Sequence, residues 1–161
     1  MPQRKRWKRM KLEDSKLRIK CVELHPEAFD KCIEFGREMI ECLKTLEDGV
    51  ALAANQIGST LRLFVSGDGS IYINPEILSP KTKRLKFKPQ SFQKPIDFKE
   101  GCLSLPFVHV EVPRWEKVRV KYINENKEEV TRKYEGFEAI MFQHEVDHLD
   151  GILITDYEGS K

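Results

Sequence analysis

GFEAIMFQHEVDHLDG (136–151) is the stretch on which the reading of this chain turns. Gly136 breaks the preceding segment and Gly151 supplies a C-terminal stop. Between them Ile140, Met141, Phe142, Val146 and Leu149 are available for burial, so the spacing predicts a helix over 137–149. That helix carries His144, Glu145 and His148 as an H-E-x-x-H motif. Residues four apart stack on one helix face, so the two imidazoles can grip one metal ion, with Glu145 beside them as general base for an attacking water. The motif is found in many metallopeptidases and other metal hydrolases, and five such residues also arise on ordinary surface helices.

The rest of the chain bounds the answer. A length of 161 residues accommodates a single domain with a real core. Hydrophobic content of 40% against 34% charged residues describes a globular chain, and no apolar run approaches a membrane span. The formal charge of +2 hides an asymmetry: MPQRKRWKRMK (1–11) holds six basic residues and no acidic one. The body is therefore mildly acidic, and residues 1–11 are expected to be a solvated basic arm that can touch RNA or an anionic surface. This start lacks the apolar region of a secretory signal. Cys21, Cys32, Cys42 and Cys102 form no C-x-x-C pair, so disulfides are not expected and a reducing compartment is the default.

From Pro26 to Leu46, Phe29, Cys32, Ile33, Met39, Ile40, Leu43 and Leu46 recur at helical spacing before Asp48-Gly49, which predicts one long amphipathic helix. LRLFV (61–65) and SIYINPEI (70–77) read as strands, as do 83–88, KVRVKYI (117–123) and EEVTRKY (128–134). The expected fold is α+β: antiparallel β-sheets packed around a C-terminal metal-binding helix, with a long N-terminal helix.

A catalytic site of this kind takes three protein ligands and leaves one position open. The extended protease pattern would place a histidine three residues beyond Gly151, where this chain has Ile154, and Glu158 is too close to the end to serve well. Upstream, EGCLSLP (100–106) offers Cys102 as a thiolate ligand or a buried loop cysteine, in a stretch that is neither clean strand nor helix. His109 is a weaker rival, being part of the alternating VHVEV (108–112).

Three segments taken together, GVALAANQ (49–56), EGCLSLP (100–106) and QHEVDH (143–148), resemble in order and separation the signature motifs of the peptide deformylase family. The resemblance extends through VPRWEKVRVKY (112–122) and GILITDY (151–157), and is weak before about residue 40. It implies that Cys102, His144 and His148 bind one divalent metal, typically Fe2+ with Zn2+, Ni2+ or Co2+ as replacements. Glu145 would shuttle the proton of the attacking water, and the Gln56 side chain and Leu103 N–H would hold the oxyanion. Val50, Ala51, Phe137, Ile140 and Met141 would receive the methionine of a formyl-methionyl peptide, and Glu100 with Arg114 would brace the cysteine loop; Asp147 either joins that brace or is merely exposed. The implied enzyme is a cytoplasmic monomer touching the ribosome at most transiently, binding neither membrane nor specific DNA, with an organellar or viral origin left open. A metallopeptidase is the competing reading, with no role for Cys102 or Gln56. A non-catalytic metal-stabilised binding protein, in which Glu145 is dispensable, is the third.

Two departures from the family pattern stand out. Ala51 occupies the position of a second motif glycine, so its methyl is expected to alter substrate fit without abolishing the chemistry. The sequence closes on TDYEGSK, so the C-terminal helix that longer bacterial members link to ribosome docking is not expected, nor is stable ribosome binding through it.

Overall fold

The computed structural model describes residues 15–80 and 95–159. The basic arm and the strand expected at 83–88 lie outside the described residues. In chain order the elements are α1 (Phe29–Leu43), β1 (Ala51–Ala53), β2 (Leu63–Ser66), β3 (Ile71–Ser79), β4 (Ile96–Cys102), β5 (Leu105–Arg114), β6 (Lys117–Ile123), β7 (Glu129–Glu135) and α2 (Phe137–Leu149). Five strands form an antiparallel sheet in the order β1-β2-β3-β6-β7, and β4 pairs with β5 in a separate hairpin. The fold is α+β, as the sequence pattern suggests.

Strand alternation distributes the core. In β2 and β3, Leu63, Val65, Ile71 and Ile73 point to one face, where they pack with Phe29, Cys32, Ile33, Met39, Ile40 and Leu43 of α1. Phe64 and Tyr72, one residue out of phase, point to the other face and meet Ala139, Phe142, Val146 and Leu149 of α2. Phe142 lies edge-on to Phe64 and Tyr72 at centroid distances of 5.2 and 5.7 Å, a favoured aromatic geometry. The sheet is thus covered on both faces, by α1 on one and α2 on the other. The β4-β5 hairpin closes a third cluster, in which Leu105, Val110 and Val112 pack on Leu153 and Ile154 beyond α2.

The elements depart from the sequence expectation in instructive places. The helix expected over 26–46 is shorter: Pro26–Ala28 form a 3-10 turn and α1 ends at Leu43. Proline serves a first turn without needing its absent N–H. β1 was not expected, since Ala51–Ala53 has little intrinsic strand preference; it exists by pairing with Phe64–Ser66 of β2. EGCLSLP proves to be the end of β4, a tight turn and the start of β5. Gly151 does end α2, at φ +74, and a Cβ there would collide with the carbonyl of Arg18, so the glycine also admits the N-terminal segment. Among the described residues no helix is long and apolar enough to cross a membrane.

Candidate metal centre and active-site cleft

α2 differs from an ordinary core helix in burying Gln143, Glu145 and His148 among its apolar residues. The i, i+4 spacing puts the His144 and His148 rings 4.8 Å apart, with their Nε2 atoms 3.1 Å from each other. Cys102, at the end of β4, brings Sγ to 3.2 Å from His148 Nε2. The three ligand atoms all lie within 4.8 Å of one another. Bonds of about 2.0–2.3 Å at tetrahedral angles hold such donors roughly 3.3–3.7 Å apart, so the two separations at His148 are close to those one divalent ion imposes, and the third donor pair lies within 4.8 Å.

The electrostatics favour a cation at that point. His144 turns Nδ1 toward Glu100 Oε2 at 3.1 Å, and because a carboxylate only accepts, Nδ1 is the donor and Nε2 is left for the cluster. Burial opposes a charge on His144, yet its bonds to Cys102 and Glu100 and the nearby Glu145 charge outweigh burial and push it up to about 10. Burial, with the charges of His144 and Arg114, drives His148 well below its usual range and keeps its ring neutral, the form that ligates.

Glu145 is 4% exposed and its Oε2 has no hydrogen-bond partner among the described residues. Burial pushes its carboxyl up to about 7, against the lowering effect of the His144 charge. A carboxyl so placed is poised to take and return a proton near neutrality. Gln56, also buried, accepts the Ala53 N–H on Oε1 at 2.9 Å. That bond fixes the amide orientation and aims Nε2 at Ser104 Oγ, 3.0 Å away, and past it toward Cys102 Sγ at 3.8 Å.

Behind the cluster runs a buried ionic network. Arg114 donates to Glu100 through two bonds of 2.6 and 2.9 Å, and through its third nitrogen to Asp147 Oδ2 at 2.6 Å. Tyr157 donates to the same Asp147 oxygen at 2.7 Å, and its ring lies 5.3 Å below the Arg114 guanidinium. Asp147 is therefore part of the brace. The bidentate geometry needs a planar guanidinium. It ties β4, β5 and α2 together at the position from which Glu100 orients His144.

These groups open into one cleft of about 450 Å³. Cys102, His144 and Glu145 line it together with Gln56 and Leu103, and so do Val50, Ala51, Phe137, Ile140 and Met141. Leu103 follows Cys102 where the β4-β5 register breaks. His109 is not part of the cluster: it is exposed on β5 and packs over Gly101, its pairing partner. Ile154 is buried against the hairpin. Sequence reasoning gave no role to Ser104, to Asn55, whose Nδ2 donates to the His148 carbonyl at 2.5 Å, or to Tyr157. All three fall within quoted motifs, but nothing in residue spacing tells which of their side chains turn inward.

With this geometry described, the chain's likeness to known proteins can be read. Residues 8–160 match the family model described as polypeptide deformylase. A peptide deformylase of Aquifex aeolicus is 43% identical over 122 residues, 74% of this chain and 69% of that protein. One from Thermotoga neapolitana is 42% identical over 144 residues, 86% of this chain and 77% of the relative. The crystal structure of peptide deformylase from Thermotoga maritima superposes with a TM-score of 0.75 at 37% identity, covering 93% of this chain and 95% of that one.

Proposed function

The chain belongs to the polypeptide deformylase family, and from that premise we propose how its residues remove the N-formyl group from the formyl-methionine start of a new polypeptide and release formate. Cys102, His144 and His148 are the ligands of one divalent ion. When bound, that ion supplies a Lewis acid beside the formyl group and makes a nearby water more acidic. The donor set of one thiolate and two imidazoles suits Fe2+, Zn2+, Ni2+ and Co2+, and we assign Fe2+ by family likeness.

The protein's own groups do the rest. Glu145 accepts a proton from the attacking water at Oε2 and returns it to the departing amine nitrogen, so that water's hydroxyl ends in formate and its proton on the new N-terminus. The Gln56 amide and the Leu103 N–H donate to the oxyanion that forms on the formyl carbon, each contributing about 3 kcal/mol in the transition state. Val50, Ala51, Phe137, Ile140 and Met141 receive the methionine side chain. Glu100 and Arg114, with Asp147, hold the ligands in register. We read residues 1–161 as one catalytic domain, monomeric and cytoplasmic, meeting the ribosome only transiently.

The observation that carries this reading is the unpaired, buried Glu145 oxygen beside the Cys102, His144 and His148 cluster. The test uses protein purified anaerobically with Fe2+ or Ni2+ and a formyl-methionyl tripeptide. Formate release should vanish in Glu145→Ala while metal analysis shows the ion retained. Cleavage of unformylated peptides instead would indicate a metallopeptidase, and an inert protein a metal-stabilised binding domain. A second readout needs no turnover: with metal chelated, half-buried Cys102 should react with a maleimide before Cys21, Cys32 and Cys42, which are buried, and reloading should protect it.

A further inference from the structure

Phe107 is 99% exposed and adopts φ +66, in the left-handed region where an aromatic side chain is disfavoured. Its position in the hairpin explains how this arises. Cys102 pairs with Leu105 and Gly101 with His109, so Pro106, Phe107 and Val108 loop out of β5 with no partner on β4. A bulge of this kind re-aims side chains, and such bulges gather beside active sites. Leu105 before the bulge is buried in the hairpin core, Pro106 lines the cleft, and Phe107, the next residue in the chain, is exposed to solvent and is not among the residues that line it. Two other exposed large apolar side chains, Val50 and Phe137, line the same cleft.

An exposed phenylalanine alone signifies nothing. Here exposure coincides with an unfavourable backbone conformation, and neither is offset by packing within the described residues. Strained, exposed positions of this kind gather at functional sites, where a ligand supplies the contacts the free protein lacks. We propose that Phe107 determines specificity in the deformylation assigned above, by packing on an apolar side chain at the second or third position of the substrate. The proposal rests on that assignment. With formyl-methionine held near Glu145, a peptide that leaves past Leu103 and Pro106, which line the cleft, passes the residue that follows them in β5, the exposed Phe107. Elsewhere the cleft is bounded by the charged Glu47, Asp48 and Lys99 and by the half-buried Phe98.

The test compares formyl-Met-X-Ser and formyl-Met-Ala-X peptides, with X as Leu or Phe against Gly, Ser or Asp. Wild type should favour apolar X by roughly tenfold in kcat/KM, through a lower KM, because the contact holds substrate and transition state alike. In Phe107→Gly the ratio should fall to near one, with kcat for formyl-Met-Gly-Ser unchanged, and Phe107→Leu should keep part of the preference. Glycine accepts φ +66, so Phe107→Gly should melt no lower than wild type, which removes misfolding as an explanation. An absent preference in wild type, or one that survives Phe107→Gly, overturns the proposal, including the case where Phe107 instead supports a dimer seen in sedimentation. Formate released from every peptide at the same efficiency refutes only the specificity role. Formate from none refutes the deformylase assignment and this role with it.

Discussion

α1 and α2 flank the same sheet, yet they are built to opposite ends. α1 buries only apolar side chains and Gly36, which lies where an added Cβ would meet Ile71 at 3.0 Å. Its exposed residues are the charged and polar ones expected of an amphipathic helix. α2 buries Ala139, Ile140, Phe142, Val146 and Leu149 together with Gln143, Glu145 and His148. Gln143 is satisfied by the backbone of Trp115, accepting at 2.9 Å and donating at 2.7 Å, whereas Glu145 Oε2 and His148 Nδ1 are left without partners among the described residues. Unpaired buried polar atoms destabilise a fold. Their concentration in α2 and absence from α1 separates a helix kept for chemistry from one kept for stability.

This contrast can be broken experimentally, beginning with the largest expected effect on turnover. Glu145→Gln should lower kcat by about 10²–10⁴-fold with metal content intact and no fall in melting temperature, because the replacement removes a buried charge without leaving a void. Gln56→Leu should lower kcat by about 10²–10³-fold if its amide serves the oxyanion, as steady-state kinetics would show. Arg114→Met removes the guanidinium from buried Glu100 and half-buried Asp147, leaving Glu100 only His144 and Asp147 only the Tyr157 hydroxyl; metal affinity measured by competition with a chelator should fall about 10–100-fold, and denaturant midpoints should drop as well. Ala51→Gly should shift the side-chain preference at the first substrate position by a few fold at most, roughly the effect of a single methyl group, and an unchanged preference would show that this methyl does not touch the substrate. Met39→Ala on α1 completes the series: it should cost about 2–5 kcal/mol of stability while activity per folded molecule stays at wild-type level. If Met39→Ala changed kcat, or Glu145→Gln destabilised the fold, the division between the two helices would fail.

Local pattern made several elements legible. α2 spans 137–149 and β6 spans 117–123, as their periodicity and flanking breaks indicate. The pairing of His144 with His148 also follows from helix geometry alone. The hairpin that presents Cys102 was not readable, because Gly101 to Val108 obeys neither a period of 2 nor one of 3.6. Its three-residue bulge is defined only by the register of β4 on β5. β1 was hidden for a related reason, the three residues Ala51-Leu52-Ala53 having little strand preference apart from their partner. Arg114 was expected beside Glu100, but the contacts that make Asp147 and Tyr157 part of the same network depend on how the hairpin, α2 and the C-terminal turn pack.

The sequence by itself determined where helices and strands could form, which helix carries a metal-binding face, and through its three motifs, the family. Those features depend on neighbours a few residues apart, whose relative positions are set by covalent geometry and hydrogen-bonded periodicity. The resemblance implied that Cys102 and His148 share an ion with Gln56 nearby; only the tertiary structure decided how they meet, with Sγ at 3.2 Å from His148 across 46 residues and the Gln56 amide held by Ala53, and that Phe107 is left in solvent at φ +66. Such distant meetings arise from strand register and from the burial that orders side chains, and neither is expressed in the spacing of residues along the chain.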